Sequence, residues 1–136
     1  SIIRLARQLV VEGKKEKAVA LVDKYFEVFP QMNFPYDQFT AFMADIYALS
    51  GEKAKAAAKI REIAAQMEQQ FRFYESLDSD FKKGYKQDND YTMSTVQNLL
   101  KMAANMEDNA LFQELETQFQ AYMPKMPKGA PQGLPN

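Results

Sequence analysis

The sequence predicts an all-α protein of about six helices, arranged as antiparallel hairpins stacked one on another. Three observations predict it. Apolar residues recur at helical spacing through most of residues 2–122, and nowhere do they alternate as a half-buried strand requires. Glycine and proline are sparse in that span and fall where the periodic runs stop. Two of those stops, Gly13 and Gly51, are flanked by the same order of small and large residues.

The elements follow in order. Ile2, Leu5, Ala6, Leu9 and Val10 form the stripe of a first helix, and Gly13 suits the left-handed position that ends it. A second helix starts near Lys15, carries Ala18, Leu21, Val22, Tyr25, Phe26 and Phe29, and closes at Pro30. Residues 30–37 read as a loop. A third helix carries Phe39, Phe42, Met43, Ile46, Tyr47 and Leu49 and stops at Ser50-Gly51-Glu52. The fourth begins near Lys53, is rich in alanine, and meets no breaker before Asp78, which makes it the longest. Residues 78–90 are polar and read as a connector from which Phe81 and Tyr85 still reach the core. A fifth helix, capped by Asn89 or Asp90, holds Met93, Val96, Leu99, Leu100 and Ala103. A sixth holds Leu111, Phe112, Leu115, Phe119 and Tyr122. Residues 123–136 contain four of the six prolines and read as a flexible tail.

Length and composition bound the chemistry. At 136 residues the chain is the size of one domain and can bury a core without covalent staples. It has no cysteine and no histidine, so thiolate nucleophiles, disulfides, imidazole bases and histidine-held zinc are excluded. With 17 basic and 18 acidic residues the net charge is −1, without the basic excess that phosphate neutralisation demands, so no nucleic-acid partner is expected. No apolar run approaches the roughly 20 residues that span a bilayer, so this stretch is not expected to insert into a membrane. The chain begins at Ser1, already inside a helical pattern, and is expected to be a piece of a longer protein.

The glycine stops define a repeat. Gly13 and Gly51 stand 38 residues apart, and each is followed by an alanine, Ala18 or Ala56, then by Val22 or Ile60, then by Tyr25 or Ile63. Before them Leu5, Ala6 and Leu9 match Met43, Ala44 and Tyr47. This set resembles the tetratricopeptide repeat, in which small residues let two antiparallel helices cross closely. The resemblance implies a right-handed superhelix in a single domain over 1–122. Repeat one spans about 2–30, repeat two about 36–77, and a degenerate third unit about 90–122. There are departures: the period exceeds the usual ~34 residues, Thr40 stands where a large aromatic usually opens the first helix, and Glu68 replaces the terminal proline of repeat two. By position, the concave face that such proteins use for peptide segments would present Ile3, Arg7 and Val10, then Gln38, Ala41, Asp45 and Ala48.

A second set of segments is more particular. RLARQLVVEGKKEKAVALVDKYFEVFP, FPYD, YALSGEKAKA and FRFYESLDSDF resemble the carboxy-terminal soluble region of a family of large bacterial multi-pass membrane proteins, glycosyltransferase-like and of the protein O-mannosyltransferase type. No catalytic motif of that family falls in this chain. The resemblance implies a non-catalytic accessory domain attached to an inner-membrane parent, on the extracytoplasmic side. Its partner would be another protein or the membrane portion of its own parent chain.

Other candidate sites weigh less. Asp78, Asp80, Asp88 and Asp90 do not match the ligand positions of a calcium loop and read as caps and solvated charges, so no metal or cofactor is expected. Glu62, Glu68 and Glu75 share a helix, with no carboxylate placed opposite them for glycoside chemistry. Phe73 falls off the apolar stripe of the fourth helix and is the candidate exposed aromatic. The reading that follows is a protein-interaction domain rather than an enzyme. The alternatives are a stand-alone helical-repeat adaptor and, behind it, a carboxylate-dependent enzyme.

Overall fold

The computed structural model describes residues 2–28 and 38–122, with the side chains of α3 described from Thr40 onward. The expected loop at 30–37 and the expected tail at 123–136 lie outside the described residues. Seven helices and no strand occur among those described: α1 (Ile2–Val11), α2 (Lys15–Val28), α3 (Gln38–Leu49), α4 (Lys53–Ser76), α5 (Ser79–Gly84), α6 (Lys86–Asn105) and α7 (Asn109–Phe119).

The chain divides into two compact units, with the division falling inside α4 between Ile63 and Ala64. In the first unit α1 packs on both α2 and α3, and α2 packs on α3. Its core is built from small residues at the helix crossings and larger ones between them. Ala6, Ala18, Ala44 and Ala56 are wholly buried, as are Val22, Met43, Ile46, Ile60 and Ile63. An alanine at a crossing brings backbones close, while each buried aliphatic side chain contributes about 1.5–3 kcal/mol.

The turns of this unit are the same turn twice. Gly13 has φ +76° and Gly51 has φ +85°. The Gly13 N–H donates to the Val10 carbonyl and Lys14 N–H to Leu9; the Gly51 N–H donates to Ala48 and Glu52 N–H to Tyr47. This is the pattern of a helix closed by a left-handed residue.

In the second unit α6 packs on α7 and α5 on α6. Phe71 of α4 lies edge-on to Phe119 (5.9 Å) and stacks on Tyr122 (4.6 Å). Met67, Val96, Leu99, Leu100, Ala103, Leu111 and Leu115 complete the core. Thr92 Oγ1 donates to Gln70 Oε1 (2.8 Å), and Gln118 Nε2 donates to Glu68 Oε1 (3.1 Å).

Two expectations about residues 78–90 are corrected. The stretch is not a connector: it folds as α5 and the first turn of α6. Asp78 caps α5 by accepting from the Phe81 N–H, Asp80 lies in its first turn and Lys82 and Lys83 in its last, so charge complements the helix dipole at both ends. α6 therefore begins at Lys86 behind Tyr85, with no side-chain cap, rather than behind Asn89 or Asp90. Phe81 and Tyr85 do not reach the core; they are 62% and 41% exposed.

Candidate functional site

The first helices of the two hairpins, α1 and α3, lie against each other, and they carry the seven candidate residues of the expected groove. Arg7 is exposed, and its guanidinium sits 5.2 Å from the centroid of the Phe42 ring. An exposed cation over an aromatic face contributes about 0.5–1 kcal/mol and holds the long side chain in one direction. Ile3, Val10, Asp45 and Ala48 are half-buried. Ala41 is only 3% exposed and belongs to the packing beneath the face. Gln38 lies in the first turn of α3, and its side chain is outside the described residues.

Three residues on this face escaped the sequence reading. The periodicity places Phe42 and Leu49 in the apolar stripe of α3, yet they are 40% and 51% exposed, and Val11 is exposed at the end of α1. Val11 and Leu49 are equivalent positions, one residue beyond Val10 and Ala48, and both open to solvent. Apolar surface beside Arg7 and Asp45 gives the face both a dehydrating patch and charge of each sign.

A polar cluster within the same unit ties α2 to α3 and α4. Tyr47 Oη donates to Asp23 Oδ1 at 2.5 Å, and Lys55 Nζ donates to both oxygens of that carboxylate at 3.1 and 3.3 Å. Burial would raise the Asp23 carboxyl, but the bonds from Tyr47 and Lys55 and the Lys55 charge together hold it below its ordinary value. Burial, and then the Asp23 carboxylate, push the Tyr47 phenol well above its usual range. Phe26 stacks on Tyr47 at 6.0 Å, and Lys59 Nζ lies 4.3 Å from the Phe26 centroid. The hydrogen-bonding groups face one another across the helix contact, which is the geometry of a seam.

The second unit carries an aromatic cluster at the junction of α4, α5 and α6. Phe73 is 52% exposed and meets Tyr85 edge-on at 5.5 Å. Tyr74 is half-buried, with Lys82 Nζ 5.6 Å from its ring centroid.

The three glutamates of α4 are each held by a neighbour. Glu62 pairs with Lys59 (3.1 Å), Glu68 with Arg72 (2.8 Å) and Glu75 with Lys82 (3.9 Å). Among the described residues no cluster of three potential metal ligands occurs, and no helix is long and apolar enough to cross a membrane. Comparison with protein-family models, with curated proteins and with solved structures returned no match.

Proposed function

We propose that this chain is a protein-interaction domain of tetratricopeptide-like hairpins that holds its partner on the α1–α3 face. The observation that carries the reading is the repeated hairpin itself: the same glycine turn, the same buried alanines and the same exposed apolar position recur 38 residues apart. A repeated hairpin sets the first helix of each unit side by side and makes a continuous strip of side chains from separate segments, a surface suited to an extended or helical segment of another protein. Arg7 and Phe42 would anchor that segment, with Val11 and Leu49 excluding water around them.

The finer reading is that the domain serves as the carboxy-terminal accessory region of a membrane-embedded, glycosyltransferase-like parent. Its support is the resemblance of the four sequence segments quoted above. Fractionation of the native cells with an antibody against this domain tests it. A membrane-bound band far heavier than the 15.6 kDa of this chain is the expected result. A soluble band of that mass would leave the stand-alone adaptor in its place.

The site itself is tested by replacing Arg7 and Asp45 together with alanine. Neither side chain belongs to the buried core, so the variant should still fold, with stability lowered by no more than about 1 kcal/mol for the lost contact of Arg7 with Phe42. Affinity for a partner recovered by co-purification should fall about tenfold, as loss of a well-placed interface anchor does. Unchanged affinity would remove the face from the assignment.

A further inference from the structure

Translation of the first hairpin by 38 residues sets its buried Ala6, Ala18 and Val22 on buried residues of the second, whose further buried residues Thr40, Ala41, Met43, Ile46, Tyr47, Ala57 and Ile63 have more open counterparts. Ile2, Leu5 and Leu9 correspond to Thr40, Met43 and Tyr47. Those three in α3 are 6%, 0% and 3% exposed. Their counterparts in α1 are open: Leu5 is 51% exposed, and Ile2 and Leu9 are half-buried. The register matches and the covering does not.

What covers the stripe on α3 is α2. Phe26 stacks on Tyr47, Tyr25 Oη meets Thr40 Oγ1 at 3.4 Å, and Asp23 accepts from Tyr47 and from Lys55. Lys55 also has a counterpart, Lys17. Lys17 is exposed, and among the described residues it pairs with no carboxylate. The first hairpin thus repeats these three stripe positions and the lysine beside them, and among the described residues they are more open than their counterparts in α3.

We propose that Ile2, Leu5, Leu9 and Lys17 form a docking edge for an amphipathic helix of another protein, seated on α1 as α2 is seated on α3. The chemistry of the occupant follows from the substitutions between the repeats. Leu9 stands in place of Tyr47 and Ile2 in place of Thr40, so the incoming helix meets hydrocarbon where α2 meets hydroxyl groups. It needs apolar side chains there, and a carboxylate for Lys17 placed three residues before its principal apolar anchor, the spacing of Asp23 and Phe26. A second copy of the chain is a poorer occupant, because Asp23 and Phe26 are already engaged with α3 and α4. The edge deepens the partner-binding reading but uses the flank of α1 opposite Arg7, so the two stand or fall separately.

The test uses the intact chain and a fluorescent, hydrocarbon-stapled peptide with the sequence of α2 (residues 15–28), read by anisotropy. Saturable binding is expected. Leu5→Glu should weaken it at least about tenfold, since it puts a charge in the centre of the contact. Lys17→Glu should weaken it as well, and a probe carrying Asp23→Lys should restore the loss, since only a direct pair responds to exchange of the two charges. Alanine at Arg7 and Asp45 should leave the probe's affinity unchanged, which separates this edge from the α1–α3 face. Both Leu5 and Lys17 are exposed, and a thermal melt checks that each variant folds; if Leu5→Glu does not, Lys17→Glu and its charge exchange carry the test. Absence of binding, or binding indifferent to these replacements, overturns the proposal. So does a dimer of the unmodified chain that Leu5→Glu disperses in sedimentation, which would give the edge to a second copy.

Discussion

Tyr47 shows how one side chain can be core and seam together. Its ring is buried beneath Phe26, and its hydroxyl leaves the core to donate to Asp23. Ionising it would put a phenolate against a carboxylate in a partly desolvated place, which is why its pKa lies above the ordinary value of 10.0. The sign of the pH effect follows. A group whose folded pKa is raised contributes stability that is present below its unfolded pKa and lost as pH rises through the folded one. Stability should therefore fall above about pH 10, the ordinary range of a tyrosine. Tyr47→Phe should flatten that alkaline limb, and ultraviolet titration of the seven tyrosines should show one that ionises only as the fold is lost. Asp23 acts in the opposite direction. Its lowered pKa contributes stability present above its unfolded pKa and lost as pH falls through the folded one, so Asp23→Asn should flatten the acid limb in the same set of melts.

At the scale of the element, the turns decide what was legible. The sequence marks α1 through α4 because glycine interrupts apolar periodicity at Gly13 and Gly51, and both glycines take the left-handed backbone that the stops require. The turn between α6 and α7 has the same hydrogen bonds, from Glu107 N–H to the Ala104 carbonyl and from Asp108 N–H to Ala103, but Glu107 holds the left-handed position at φ +56°. A glutamate there gives no signal, so only the structure reveals a third turn of this kind. α5 was invisible for a different reason: Ser79–Gly84 has a single large apolar residue, and its cap and end charges, rather than a buried stripe, define it. On the candidate face, the repeat alone pairs Arg7 with Asp45 as equivalent positions. The exposure of Phe42 and Leu49 could not be foreseen, because an apolar residue on a helix reads as core until its neighbours are known. The turns also make a matched pair of predictions. Glu107→Gly should stabilise the fold by about 0.5–1 kcal/mol by relieving the left-handed strain of a residue with a Cβ. Gly51→Ala should destabilise it by about 1 kcal/mol, and since no atom lies within 4 Å of the added Cβ the cost is one of backbone conformation alone. Urea unfolding with an unchanged slope is the check on both.

At the scale of the whole molecule, the two compact units divide the core between them while α4 runs through the boundary. Ile60 is buried in the first unit and Leu99 in the second, both without exposed surface. Truncating either to alanine removes buried methyl groups and leaves a cavity, at a cost of about 2–5 kcal/mol. The consequence depends on whether the units open separately. Each has its own buried aliphatic residues and its own side-chain hydrogen bonds: Asp23 with Tyr47 and Lys55 in the first, Thr92 with Gln70 and Gln118 with Glu68 in the second. A unit with a core of its own can open sub-globally, so that a local loss of free energy is felt by one cooperative unit before the other. Ile60→Ala should therefore lower amide-exchange protection across α1, α2, α3 and the first turns of α4, leaving α6 and α7 close to their original protection. Leu99→Ala should do the reverse. Equal loss throughout the chain in either variant would show that α4 couples the two cores into one unfolding unit.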